Sequence, residues 1–198
     1  HTPRLRSANE FSPGILDLRK TLELANSSMG DKDALTKFLR QQYFSNHAAN
    51  HQKDPDRRLV EQNKLASNVI IGLVNYELWD KAVCTLTPYA QDLLATTNYS
   101  DLYESFARHL LNKLDGIEML ETISGMSQKK ENINKATLAK QLGKDGFTTF
   151  QGKEIPLSTT DHLRFLQWLR LAKLLPRVGY EIDQDIYEKI LGIPPGIA

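Results

Sequence analysis

Lys64 and Asn68 stand four residues apart, the spacing that sets two side chains on one face of a helix. An Asn amide can bond adenine at N6 and N7 together, and Lys or Arg can donate to guanine O6 and N7. Thr160, Arg164 and Gln167 share a face in the same way in the second half of the chain. Ahead of them, the segment 143–153 offers Thr149 and Gln151 for base contacts, among glycines at 143, 146 and 152. Glycine lets a backbone approach a ligand closely, and Thr hydroxyls or backbone amides can hold phosphate oxygens. Phe147 in that segment suits an anchor on the core, and the role of Phe150 is open. Arg57, Arg58, Lys81, Lys135, Lys140, Lys144, Lys153 and Arg177 are the candidate phosphate contacts.

Catalytic chemistry finds no comparable set. A metal-dependent nuclease centre of the common type needs two carboxylates and a Lys on adjacent strands to hold a metal and activate water. The chain contains no Asp/Glu-x-Lys triplet. His47 and His51 have a spacing that can ligate a metal on one helical face, but they sit in a polar loop without the Glu of a zinc-protease motif. There is no glycine-rich phosphate loop, no dinucleotide fingerprint and no nucleophile elbow. The single Cys84 excludes an internal disulfide and a multi-cysteine zinc site, and its neighbours Val83 and Leu86 predict a buried thiol on a strand. No enzyme activity within these residues, no cofactor and no metal is expected.

The chain has 198 residues, 40% of them hydrophobic and 25% charged, which suits one large or two small soluble domains. A net charge of +1 hides a segregation. Residues 127–177 hold ten Lys/Arg against four Asp/Glu, whereas residues 78–126 hold three against seven and residues 178–198 one against four. A basic face attracts phosphate by releasing counterions, and acidic surface elsewhere does not prevent it. No apolar run approaches the roughly 18 residues of a membrane span, so no membrane partner and a cytoplasmic location are expected. The start at His1-Thr2-Pro3 suggests an excised fragment whose remaining parts lie elsewhere.

These side chains need elements to carry them, and the elements come twice. Residues 76–94 and 172–190 align without a gap at an offset of 96. Each copy reads as an amphipathic helix end, a basic turn, a brief strand, a Thr or Asp cap and an apolar helix. Before the first copy, helices are expected over 15–24, from Asp31 or Asp33 to Tyr43, and over 57–76 with Leu65, Val69, Leu73 and Tyr76 buried. Thr87-Pro88 starts the next helix, and acidic helices follow over 100–111 and 117–123. Thr137 to Gly143 and residues 161–174 form the second set, with strand 180–182 as the returning edge of a second wing. The expected fold is mainly α with short β-hairpin wings: two tandem winged-helix units of the helix-turn-helix type. The first spans 1–99 with an N-terminal arm and the second 127–198, joined by a helical linker, 100–126, packed on both.

The second half resembles the winged-helix recognition subdomains of type IIS restriction endonucleases of the FokI kind. The similar text is Leu138-Ala-Lys-Gln-Leu-Gly143, Gly146-Phe-Thr148 and Leu166-Gln-Trp-Leu-Arg-Leu-Ala-Lys-Leu-Leu175 with a short wing after it. The likeness covers residues 133–190 closely and 57–95 loosely. It implies site-specific recognition of double-stranded DNA, with cleavage by a covalently linked nuclease domain outside this chain. A protein-interaction scaffold is the competing class, kept open by Trp168 and Leu171 near Arg164, and a transcriptional regulator is a third.

Overall fold

Short polar side chains decide where the helices begin. The structure, a computed structural model, describes residues 1–47, 54–156 and 160–192. Asp17 accepts from the Lys20 amide and starts α1 (Leu18–Ser27), and Asp31 accepts from two amides to start α2 (Lys32–Leu39). Asp54 precedes Pro55 at the head of α3 (Pro55–Asn75), and Thr87 precedes Pro88 at the head of α4 (Pro88–Leu94). Asn98 caps α5 (Tyr99–Lys113), and Asn134 exchanges bonds with Thr137 to cap α7 (Lys135–Lys144). Asp183 caps α10 (Gln184–Leu191). Each cap satisfies an amide that the first helical turn leaves without a partner, which stabilises the helix by about 1 kcal/mol.

The first helix therefore starts three residues later than expected, because Asp17, and not the Ser12–Gly14 turn, supplies the cap. The second ends at Leu39 and continues as a π-helical turn, Arg40–Phe44, that brings Tyr43 to α1. There the Tyr43 hydroxyl lies 3.0 Å from Thr21 Oγ1 and donates to the Asp17 carbonyl.

The chain divides into two units, residues 8–95 and residues 1–7 with 96–198. The first of these, the inserted unit, packs α1, α2 and α3 on one another and closes with a hairpin, β2 (Trp79–Asp80) and β3 (Thr85–Leu86). Trp79 pairs with Leu86, and both side chains are buried. Cys84 is not on a strand: it lies half-buried in the hairpin turn at φ +56°, its amide donating to the Asp80 carbonyl.

In the host unit, α5 packs on α6 (Gly116–Gln128), on α9 (Phe165–Leu171) and on α10. Leu102, Phe106, Leu110 and Leu114 are buried as their spacing predicts. The stretch 100–126 is thus core of this unit and not a separate linker. The first seven residues also belong here. Strand β1 (Arg4–Leu5) runs parallel to β4 (Thr148–Thr149), Arg4 opposite Thr148 and Leu5 opposite Thr149. The third helix expected over 161–174 is instead two pieces, α8 (Thr160–Leu163) and α9, broken at Arg164.

The doubled passage is present in the backbone at the same offset. Leu78 donates to Leu73 and Leu174 to Leu169, closing both helices over a left-handed residue, Glu77 at φ +60° and Lys173 at φ +65°. Thr87 then donates to Leu78, and Asp183 to Leu174. Between these fixed points the copies differ. The second contains no strand at 180–182. Its loop is held by Arg170, whose Nη1 donates to the carbonyls of Pro176 (2.5 Å) and Gly179 (2.6 Å) while the guanidinium lies 5.3 Å from the Tyr180 ring centroid.

A bond to a charged donor is worth about 1.5–3 kcal/mol. Arg170→Ala is therefore expected to speed hydrogen exchange in the 176–182 loop at least roughly tenfold with helix content unchanged. Arg170→Lys should rescue it only in part, since a single ammonium lacks the planar fork.

Candidate nucleic-acid interface

On α3 the stripe Arg57, Glu61, Lys64, Asn68, Ile71 and Asn75 stays out of the core, while Val69, Ile70 and Leu73 are buried. Lys64 and Asn68 thus share the outward face with Arg57, as their spacing predicts. Arg58 is also exposed, in the first turn of the helix. Other polar side chains of α3 are used internally: Asn63 accepts from Arg40 at 2.7 Å, and Gln62 donates to the carbonyls of Ser45 and His47. Lys81 is exposed at the hairpin turn. Leu65 is only half-buried, and Leu59 and Val60 are exposed beside Arg57 and Arg58.

In the host unit, Lys140 and Lys144 are exposed one turn apart on α7. With Gly143, Gly146, Phe147 and Thr148 they line an open groove of about 490 Å³, which Glu154 and Ile155 also line. The helix runs past Gly143 and stops where Gly146 takes φ +95°; Phe147 is buried, its amide donating to the Leu142 carbonyl. Lys135 is exposed in the first turn of α7.

The next turn is closed by Thr149. Its amide donates to the Lys153 carbonyl, its hydroxyl accepts from the Lys153 amide, and Gly152 at φ +81° donates to its carbonyl. Thr149 is buried and engaged, so it is not a base-contacting residue. The closed turn leaves Gln151 and the Lys153 side chain exposed at the tip.

Arg164 is half-buried at the break between α8 and α9, and Gln167 is exposed one turn further on. The Thr160 side chain and His51 lie outside the described residues. Trp168 is 2% exposed and packs edge-on against Phe106, so it offers no docking surface, unlike exposed Leu171. Arg177 is exposed and lines a second open cavity, of about 620 Å³, with Arg170, Lys173, Glu181 and Asp183. Burial holds the His162 imidazole below its ordinary value against the opposing pull of Asp161.

The N-terminal arm adds residues that the sequence reading passed over. Arg4 and Arg6 lie 5.9 Å and 4.6 Å from the centroid of the exposed Phe150 ring, and Arg4 Nη1 donates to the Phe150 carbonyl. The arm is tied at both ends. Asp115 takes His1 Nε2 at 2.7 Å and the Arg4 amide at 3.0 Å, and the Ser7 hydroxyl donates to Asp161. The apolar Leu5 between two arginines was the available signal: Leu5 is buried in β1, Arg4 is exposed, and Arg6, just past the strand, is half-buried.

Among the described residues no group of His, Cys, Asp and Glu could hold a metal ion, and no helix is long and apolar enough to cross a membrane. No protein-family model, curated protein or solved structure matches the chain.

Proposed function

We propose that this chain binds double-stranded DNA in a sequence-specific way, through two helix-turn-helix units of the winged-helix kind. The observation that carries the reading is the groove beside α7, where exposed Lys140 and Lys144 stand in the basic segment and line the groove together with Gly143 and Gly146. Two ammonium groups one turn apart on an exposed helix face favour a phosphodiester strand over a compact anion, which a closed pocket would suit better. The outward face of α3, with Lys64 and Asn68, supports base reading from the other unit. Arg57, Arg58, Lys81, Lys135 and Arg177 are phosphate contacts in this proposal, with Gln151, Arg164 and Gln167 reading bases. The likeness of residues 133–190 to type IIS recognition subdomains makes the parent class a restriction endonuclease or related defence protein, with its nuclease domain elsewhere.

The test is fluorescence anisotropy with mixed-sequence duplex over a salt series. Binding is expected at low salt, and Lys140→Gln with Lys144→Gln should flatten the log–log salt slope by about 2, weakening all sequences alike. Absence of binding by the unaltered chain at low salt sinks the proposal. The competing scaffold reading draws on exposed Leu59 and Val60, and it requires any DNA binding to be weak and insensitive to salt.

A further inference from the structure

The outward face of α3 carries an aliphatic side chain one turn beyond Asn68. We infer that this residue, Ile71, determines specificity by packing on the 5-methyl group of thymine while Asn68 bonds the adenine of the same base pair or its neighbour. This deepens the duplex-binding proposal, on which it rests, by naming an A·T pair as part of the site.

The helix sets the placement. At about 3.6 residues per turn, Ile71 points within roughly 20° of Lys64 and roughly 60° of Asn68 about the axis. Ile71 is 47% exposed, Lys64 is exposed and Asn68 is half-buried, whereas Ile70 and Gly72 on either side of Ile71 are buried. The roll of the helix is fixed on its inner side. There Gly72 lies directly against the Ala8 turn, Leu73 is fully buried, and Asn63 accepts from Arg40 at 2.7 Å. Those contacts hold Ile71 outward together with Lys64 and Asn68.

An A·T pair offers this face the matching pattern. Its major-groove edge sets the adenine N7 acceptor and N6 donor beside the thymine O4 and the thymine methyl. A carboxamide suits the adenine atoms, and an aliphatic surface suits the methyl, which has no hydrogen bond to offer. Ile71 follows Asn68 by roughly 4.5 Å along the helix axis, near the roughly 3.4 Å step between stacked base pairs. As a β-branched residue at the surface, it gives the helix neither core burial nor favourable propensity. A 5-methylcytosine carries a methyl at the same place, but its partner is guanine. Guanine O6 and N7 both accept, which leaves the Asn68 amide oxygen unmatched. Asn68 therefore assigns the methyl to thymine.

The experiment measures anisotropy of the whole chain with alternating dA·dT, dA·dU and dG·dC duplexes, and with the dG·dC duplex methylated at cytosine C5. Uracil lacks only the methyl, so dA·dU should bind roughly three- to fourfold more weakly than dA·dT, the effect of leaving one methyl group unburied. Ile71→Ala should bind the two equally, with its salt slope unaltered because no charge is lost. Ile71→Val, which keeps a branched aliphatic surface, should retain most of the thymine preference. Cytosine methylation should bring no gain.

Equal binding of dA·dT and dA·dU by the unaltered chain overturns the role of Ile71 and leaves the duplex-binding proposal standing. So does a thymine preference that survives in Ile71→Ala, or an equal gain from cytosine methylation. A flattened salt slope in Ile71→Ala also overturns it, since the effect would then follow the seating of the helix. Sedimentation of the unaltered chain as a dimer that Ile71→Ala dissociates does so too, because the face would belong to a second copy. No binding to any duplex overturns both proposals.

Discussion

Trp168→Ala is expected to lower the melting temperature of the host unit by roughly 12–20 °C and to weaken the DNA binding proposed for it. Trp168 is one of the largest fully buried side chains, and its indole meets Phe106 edge-on with ring centroids 5.2 Å apart. Removing an indole from a core costs about 3–5 kcal/mol, through lost transfer energy and the cavity left behind. A unit of this size holds about 5–15 kcal/mol in total, so roughly a fifth or more of its stability is at stake. For domains near this length each kcal/mol moves the melting temperature by about 4 °C. Because α9 carries Trp168 inward and Gln167 outward, loss of the indole also loosens the face that carries Gln167. Trp168→Phe, which keeps the aromatic contact, should retain most of the stability. Calorimetry of the two variants checks this, and a loss of under about 4 °C for the alanine variant would show that the helix is not anchored there.

Gly72→Ala should destabilise the inserted unit by about 2 kcal/mol or more, against the direction that helix propensity predicts. Alanine in a helix interior is favoured over glycine by about 1 kcal/mol. At position 72, however, an added Cβ would stand 2.3 Å from the Ala8 carbonyl oxygen and 2.4 Å from Phe11 Cβ. The Ala8 oxygen already accepts from the Phe11 amide, and the Phe11 ring is fully buried edge-on to Tyr76. Neither atom is the end of a flexible chain, so α3 must move away from the turn that it packs on. Overpacking of this kind costs about 1–3 kcal/mol and more where backbone is struck, which outweighs the propensity gain. Gly125 in α6 is the internal control. A Cβ there meets nothing within 4 Å, and Gly125→Ala should stabilise by about 0.5–1 kcal/mol. Urea unfolding of both variants tests the contrast, and a stabilised Gly72→Ala would contradict the close approach.

The contrast between these two glycines marks the limit of a sequence reading. Both sit inside helices of the structure, and the sequence does not show what a side chain at either position would meet. The site shows the same division. Lys64 and Asn68 face outward together because the helical period alone sets their direction. Lys140 and Lys144 do so for the same reason. Thr149 was misread because its hydroxyl and amide are consumed by a turn whose closure depends on Lys153 and Gly152. Trp168 was offered as an exposed contact because a helix face cannot reveal which side meets another helix.

The helix starts at Asp31, Thr87 and Asp183 follow from the sequence by itself, because capping is chemistry within three or four residues. The doubled passage is the clearest case: its helix ends, left-handed residues and caps recur at the offset of 96 at which the two stretches of sequence align. What lies between those caps was decided by tertiary structure. In one copy two strands pair, while in the other Arg170 satisfies the loop carbonyls and no strand forms. The arm is a stronger example, since Arg4 and Phe150 meet across 146 residues. Backbone amides and carbonyls of an extended segment must find partners, but their own sequence does not say where. The division into an inserted and a host unit, and the arginine cluster at Phe150, follow from that long-range pairing.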